Sequence, residues 1–174
     1  LQLPSGFVLQ PQVQKMHEDR QSMCAGDKPI NWGCAEMLAY GSLLEEGVSI
    51  RLIGQDTCRG TFAHRHAVYR DQNSGKAWVP LAQVEQKTST FYVYNSVLSE
   101  CAALAFEYGY AESSPNSLVI WEAQFGDFAN NAQTVIDQFI TSGWQKWQRM
   151  SGLVLLLPHG IEGQGPEHSS ARLE

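Results

Sequence analysis

Residues 91–111 read Phe-Tyr-Val-Tyr-Asn-Ser-Val-Leu-Ser-Glu-Cys-Ala-Ala-Leu-Ala-Phe-Glu-Tyr-Gly-Tyr-Ala. Phe91 to Tyr94 is aromatic and β-branched, the composition of a short strand. Leu98 to Ala111 is rich in Ala and Leu and free of Pro, which predicts a helix. A polar break at Asn95-Ser96 separates them, with Glu100 in the first helical turn. A strand that feeds straight into a helix is half of an α/β unit.

The same pairing recurs on both sides. Trp32 to Glu46 reads as a helix capped by Asn31 and closed by Gly47, leading into a β-run at Val48 to Ile53. Leu118 to Trp121 is a strand, and Phe128 to Phe139 a helix with Ala132, Val135, Ile136 and Phe139 along one stripe. Leu153 to Leu157 is a last strand, followed by a glycine-rich loop from His159 to His168. Weaker β-runs at Ala67 to Tyr69 and Ala77 to Leu81 flank Asn73-Ser-Gly75, a hairpin-like excursion. The alternation predicts an α/β fold with a mostly parallel sheet flanked by helices. Ligands of such sheets sit at the carboxyl ends of the strands. The polar segments Gly54 to His66, Asn95 to Glu100, Glu122 to Phe128 and His159 to His168 are therefore expected to converge on one edge.

Residues 1–29 differ. They are polar and mixed, with Pro4, Pro11 and Pro29 as breaks and a thin apolar face over Val13 to Met23, and they read as a linker or packing arm. Residues 30–174 form the domain. The chain has 174 residues, 43% hydrophobic and 17% charged, with a net charge of −6. That composition is too apolar for disorder, and no Lys/Arg cluster offsets the acidic balance, which argues against nucleic acid as a partner. No apolar run approaches the roughly 18 residues of a membrane helix. The start at Leu1 shows no secretory signal, and the closing Ser-Ser-Ala-Arg-Leu-Glu reads as opening turns of a helix, so both ends are expected to be cuts in a larger protein. Four cysteines, at 24, 34, 58 and 101, form no CxxC pair and read as free thiols in a reducing compartment.

Four places offer chemistry. Glu100 either complements the helix dipole, with Ser96 as the N-cap, or is a buried acid with a raised pKa at the sheet edge. Phe125 and Phe128 either pack in the core or form a wall for a flat heterocycle, with Gly126 allowing a ligand to approach. His159 and His168 bracket the glycine-rich loop. They suit proton transfer, whereas His168 also fits a capping role, and no third ligand at a suitable spacing supports a metal site. His64-Arg65-His66 is either a solvated loop or a basic grip in which Arg65 holds a carboxylate. There is no GxSxG elbow, P-loop or GxGxxG, so a Ser169 or Ser170 hydrolase, an NTPase and a dinucleotide-binding protein are all disfavoured.

Several of these runs resemble one family, the E1 components of 2-oxoglutarate dehydrogenase. They are Gly54-Gln-Asp56, Arg59-Gly-Thr-Phe62 with His64-Arg-His66, Leu98-Ser-Glu100, Phe106-Glu-Tyr-Gly109, Trp121-Glu-Ala-Gln-Phe-Gly-Asp-Phe128, Ile136-Asp-Gln-Phe139, Leu155-Leu-Leu-Pro-His-Gly160 and Gly163-Gln-Gly-Pro-Glu-His-Ser-Ser170. The resemblance runs from about Ile30 to Glu174 and implies a transketolase-like pyrimidine-binding domain. It implies a thiamine-diphosphate enzyme of the tricarboxylic acid cycle that decarboxylates 2-oxoglutarate and passes the succinyl group to lipoamide on an E2 succinyltransferase. A sister 2-oxoadipate enzyme or a plain 2-oxoacid decarboxylase is the alternative, and for this segment alone a non-catalytic dimerisation module. By the same resemblance Glu100 contacts N1′ of the aminopyrimidine. An acid there favours the imino tautomer, whose exocyclic nitrogen takes the thiazolium C2 proton. Phe125, Phe128 and Gln124 are implied as cofactor contacts, His159 and His168 as active-site loop histidines, and His64, Arg65 and His66 as neighbours of the substrate. The diphosphate and its Mg²⁺ are implied to bind mainly in a domain outside the segment, which is then inactive by itself. The full chain is implied to be a homodimer, in the bacterial cytoplasm or the mitochondrial matrix.

Overall fold

A computed structural model describes residues 2–84, 88–159 and 168. The glycine-rich loop at 160–167 and the closing helix expected at 169–174 lie outside the described residues. Two helices open the chain, α1 (Pro11–Ala25) and α2 (Trp32–Glu45). β1 (Ile50–Gly54) follows, then a small hairpin of β2 (Tyr69–Arg70) and β3 (Ala77–Trp78). The unit that opened the sequence comes next, as β4 (Phe91–Asn95) and α3 (Glu100–Ser113). β5 (Leu118–Glu122), α4 (Gln133–Val135), α5 (Gly143–Trp147) and β6 (Val154–Leu156) complete the described fold.

β4, β1, β5 and β6 form one four-stranded sheet in that order, and every pairing is parallel. Gly54 pairs with Asn95 on one side and Glu122 on the other, and Glu122 pairs with Leu156. All four strands thus end at one level, and the loops that follow leave from the same edge. The β2–β3 hairpin is a separate antiparallel pair.

Period-2 alternation assigns the two faces of the sheet. Ile50, Leu52, Phe91, Val93 and Ile120 point to one side, where they pack with Met37, Tyr40 and Leu44 of α2. Trp121 belongs to the other side, with Ala103 and Leu104 of α3 and Ala129, Ala132 and Val135 after β5. Arg51 also faces α3. Its Nε and Nη2 donate to the two oxygens of buried Glu107 at 2.7 and 2.9 Å, and its guanidinium lies 4.5 Å from the centre of the Tyr110 ring. The pair satisfies a carboxylate that α3 carries into the interior.

Several local expectations change. Pro11 starts α1 rather than breaking the arm, because the first helical position needs no N–H. The Gln10 side chain caps that helix, and Gly26 at φ 89° ends it. Ser99, not Ser96, caps α3 through a bond to the Ala102 N–H, so Glu100 is the first helical residue. Ser96 Oγ instead accepts from the Leu98 N–H. The helix expected over Phe128 to Phe139 is a 3-10 segment at Gly126–Ala132, one α-turn, and a π-turn at Ile136–Ile140. Gly126, Asp127, Asn130 and Asn131 are poor interior helix residues, which favours the tighter start. Phe139 lies outside the stripe, 42% exposed.

Gly54 sits where β1 and β5 approach closely. A Cβ there would lie 2.1 Å from the Glu122 carbonyl oxygen. Gly109, exposed on α3, would meet nothing within 4 Å. In urea unfolding, Gly54→Ala is expected to cost about 1–3 kcal/mol as an overpacked site. Gly109→Ala is expected to gain roughly 0.5–1 kcal/mol from helix propensity. Equal effects from the two would contradict the close approach at the sheet edge.

Candidate functional site

The carboxyl edge is built around one buried cation. Arg65 is 0% exposed and lies in the loop after β1. Its Nε donates to Glu36 Oε2 at 2.7 Å and its Nη2 to Glu36 Oε1 at 2.9 Å. Glu122, at the end of β5 and 2% exposed, takes the other side of the fork, from Nη1 at 2.6 Å and Nη2 at 2.7 Å. Nη1 also reaches the Thr57 carbonyl at 2.9 Å, and the Thr57 hydroxyl donates to Glu122 at 2.7 Å. Burial alone lowers the pKa of a guanidinium, but the hydrogen bonds to Glu122 and Glu36 outweigh it and raise that of Arg65. The expected grip on a carboxylate is therefore present, but both carboxylates belong to the protein. Arg65 has no donor left for a substrate. From α1, Arg20 Nη2 donates to the carbonyls of His64 and Arg65 at 2.9 and 2.6 Å, which holds the loop from its other side.

Glu100 lies in a narrow cleft with Gln55, Ser96, Trp121 and Gln124. It is half-buried rather than buried, so the expected desolvated acid is not what the structure holds. Gln55 Nε2 donates to Glu100 Oε1 at 3.2 Å, and Gln124 Nε2 donates to Asp56 Oδ2 at 3.2 Å. The backbone helps too. The Ser96 N–H bonds to the Gly54 carbonyl at 2.8 Å, and Asn95 Oδ1 accepts from the Cys58 N–H at 2.9 Å. Thr61 Oγ1 bonds to the Gln124 carbonyl, which ties the loop after β1 to that after β5.

Phe125 and Phe128 meet edge to face at 6.0 Å, and Phe62 approaches Phe125 the same way at 6.2 Å. The ring stacked on Phe125 is the His168 imidazole, 4.0 Å away and tilted by 11°. His168 Nδ1 is 3.1 Å from Asp127 Oδ1, which fixes the ring in that pose. The chain's own imidazole therefore covers one face of Phe125. Gly126 serves a different approach from the one expected. A Cβ on it would lie 2.4 Å from the His159 ring, so an imidazole of the chain, not a ligand, fills the space beside it. His159 Nδ1 bonds to the Leu157 carbonyl at 2.6 Å.

His64 and His159 line a cavity of about 380 Å³ together with Trp32, Glu36, Phe62 and Glu122. His64 Nδ1 is buried with no hydrogen-bond partner among the described residues. His66 is half-buried, at φ 40°, and does not line that cavity. The structure thus brings Glu100 and Gln124 into one cleft, Phe125, Phe128 and His168 into one aromatic cluster, and His64 and His159 into one cavity. Glu122 borders both the cleft and the cavity. Among the described residues no group of three His, Cys, Asp or Glu side chains could hold a metal ion.

Residues 28–174 match the family described as transketolase, pyrimidine binding domain. The chain belongs to that family. The match includes the whole four-stranded sheet of this pyrimidine-binding domain and every candidate residue named above. The domain is also similar along nearly its full length to curated relatives. It is 60% identical over 172 residues to the 2-oxoglutarate dehydrogenase E1 component of Coxiella burnetii, covering 99% of this chain and 18% of that protein. It is 60% identical over 171 residues to the E1 component of Haemophilus influenzae, with 98% and 18% covered, and 60% identical over 174 residues to that of Azotobacter vinelandii, with 100% and 18% covered. The chain therefore spans about 18% of the length of these relatives. No helix among its described residues is long and apolar enough to cross a membrane.

Glu36 and Thr57 lie in none of the runs that carry the family resemblance, and Gln55 and Glu122 lie in such runs without being singled out by them. Only Glu122 leaves a trace, as a carboxylate that ends an otherwise apolar strand and so requires a buried cation nearby.

Arg65→Met should leave two buried carboxylates without their cation and cost about 3–5 kcal/mol in urea unfolding. Adding Glu36→Gln and Glu122→Gln should recover part of that loss. A cost near zero for Arg65→Met would contradict the clamp. Burial, before any neighbouring charge, lowers the pKa of His17, His64 and His66 below the ordinary imidazole value of 6.5. The folded chain thus binds fewer protons than the unfolded one just below pH 6.5. Stability from these groups is full above that pH and falls as the pH drops through their folded values. Unfolding midpoints measured from pH 7 to 5 should decline, and the decline should be shallower in the His64→Gln, His66→Gln double variant.

Proposed function

We propose that the intact chain carrying this domain is the E1 component of a 2-oxoglutarate dehydrogenase. It decarboxylates 2-oxoglutarate with thiamine diphosphate and passes the succinyl group to lipoamide on an E2 succinyltransferase. The observation that carries the proposal is the identity of 60% to E1 components across 98% or more of this chain. Bacterial relatives favour work in the bacterial cytoplasm.

The residues fit the cofactor's aminopyrimidine half. Thiamine diphosphate supplies an electron sink for loss of CO₂. Glu100 offers a carboxylate at the helix start, oriented through Oε1 by Gln55, and is proposed to hold a proton at the N1′ position of the ring. Phe125 and Phe128, edge to face at 6.0 Å, are proposed to supply the wall. Gln124 stands in the same cleft as Glu100. His159 and His168 are proposed to move a proton or hold the substrate carboxylate, and His64, whose Nδ1 has no partner among the described residues, and His66 to border the substrate. Arg65 is proposed to position the loop instead. Mg²⁺ and the diphosphate are assigned to a part of the enzyme beyond these residues.

Val97, 98% exposed, and half-exposed Leu98 and Tyr94 lie beside Glu100. Large apolar side chains left open next to a site favour a covering partner. This supports a cofactor sandwiched between this domain and another domain of a homodimer.

In the intact enzyme, Glu100→Gln is expected to lower cofactor-dependent turnover by about 10²–10⁴-fold, the usual range for loss of a general acid–base group. The unfolding midpoint should stay at the wild-type value, since the side chain is half-exposed. Turnover within a few-fold of wild type would contradict the role.

A further inference from the structure

Away from the sheet edge, α1 and α2 form a helical hairpin joined by residues 26–31. His17, Arg20 and Cys24 lie at i, i+3 and i+7 on α1, so they share one face. Cys34, Met37 and Gly41 lie at i, i+3 and i+7 on α2. Both faces line one mostly apolar cavity of about 610 Å³. Cys24, in the last turn of α1, and Cys34, in the first turn of α2, therefore border the same space.

One close approach supports that placement. Arg20, one turn before Cys24, comes within 3.5 Å of where a Cβ on Gly33 would lie, next to Cys34. The two sulfurs differ in access. Cys24 is exposed, whereas Cys34 is 2% exposed. Burial, and then its neighbour Cys24, raise the pKa of the Cys34 thiol. An accessible thiol beside a sheltered one is the arrangement of an attacking and a resolving cysteine.

We propose that Cys24 and Cys34 are a modification site that closes to a disulfide when a hydroperoxide oxidises Cys24. The Cys24 thiolate attacks the peroxide oxygen and the O–O bond breaks. Cys24 becomes a sulfenic acid, and water or an alcohol leaves. Cys34 then releases its proton and attacks the Cys24 sulfur. The S–O bond breaks, and hydroxide leaves as water. Two thiols are oxidised by two electrons, and the peroxide is reduced by two. A dithiol reductant reverses the bond by exchange. The bridge ties α1 to α2 one turn from Arg20, which holds the carbonyls of His64 and Arg65.

The test uses the intact chain that carries this sequence. It is reduced, treated with hydrogen peroxide, blocked with N-ethylmaleimide and cleaved before Asp27. The Cys24 and Cys34 peptides should remain joined, free of maleimide, and separate on dithiothreitol. In Cys34→Ser, dimedone should label Cys24 several-fold more than in wild type, because no resolving thiol follows. Recovery of both peptides as separate maleimide adducts, a bridge from Cys24 to another cysteine, or equal dimedone labelling in the two proteins would overturn the proposal.

Discussion

One guanidinium joins three parts of the domain. Arg65 binds Glu36 of α2, Glu122 at the end of β5 and Thr57 in its own loop. Its planar fork satisfies both carboxylates at once, which a lysine could not do. Breaking one side of such a group leaves a buried charge unpaired, and that cost enforces a single arrangement. The loop after β1 is thereby fixed in place over the sheet edge, with Arg20 closing it from α1.

That fixed loop sets the positions of the candidate site residues. Gln55 leaves β1 where its amide meets Glu100, and Asp56 where its carboxylate meets Gln124. Thr61 and Phe62 reach the segment after β5 and bring it beside Phe125. The parallel register supplies the common level, and Gly54 allows β1 to lie close to Glu122. A cleft with a carboxylate, an aromatic cluster and a cavity lined by His64 and His159 follow from this packing.

Much of this was legible in the sequence because it is local. The switch from strand to helix at Asn95-Ser96 follows from composition within a dozen residues, and the gathering of loops follows from strand–helix alternation. Caps were less legible: Ser96 reads as the cap of α3, but Ser99 caps it and Ser96 accepts from the Leu98 N–H instead. The segment after β5 was read as one helix because its apolar spacing is helical, but four residues of low helix propensity tighten its start. The role of Arg65 was not legible at all. Its partners lie 29 and 57 residues away in the chain, and nothing in either neighbourhood marks them as ends of one ion cluster. Arg65 reads as part of a solvated loop or as a free grip for the same reason.

The central claim is that this edge receives the pyrimidine ring of thiamine diphosphate, with Glu100 at its nitrogen. A crystal structure of the intact chain with the cofactor tests it most directly. The expected result is a Glu100 carboxyl oxygen within hydrogen-bonding distance of a ring nitrogen, about 2.6–3.2 Å, and Phe125 or Phe128 against the ring. A pyrimidine bound elsewhere, or Glu100 still paired only with Gln55, would contradict it.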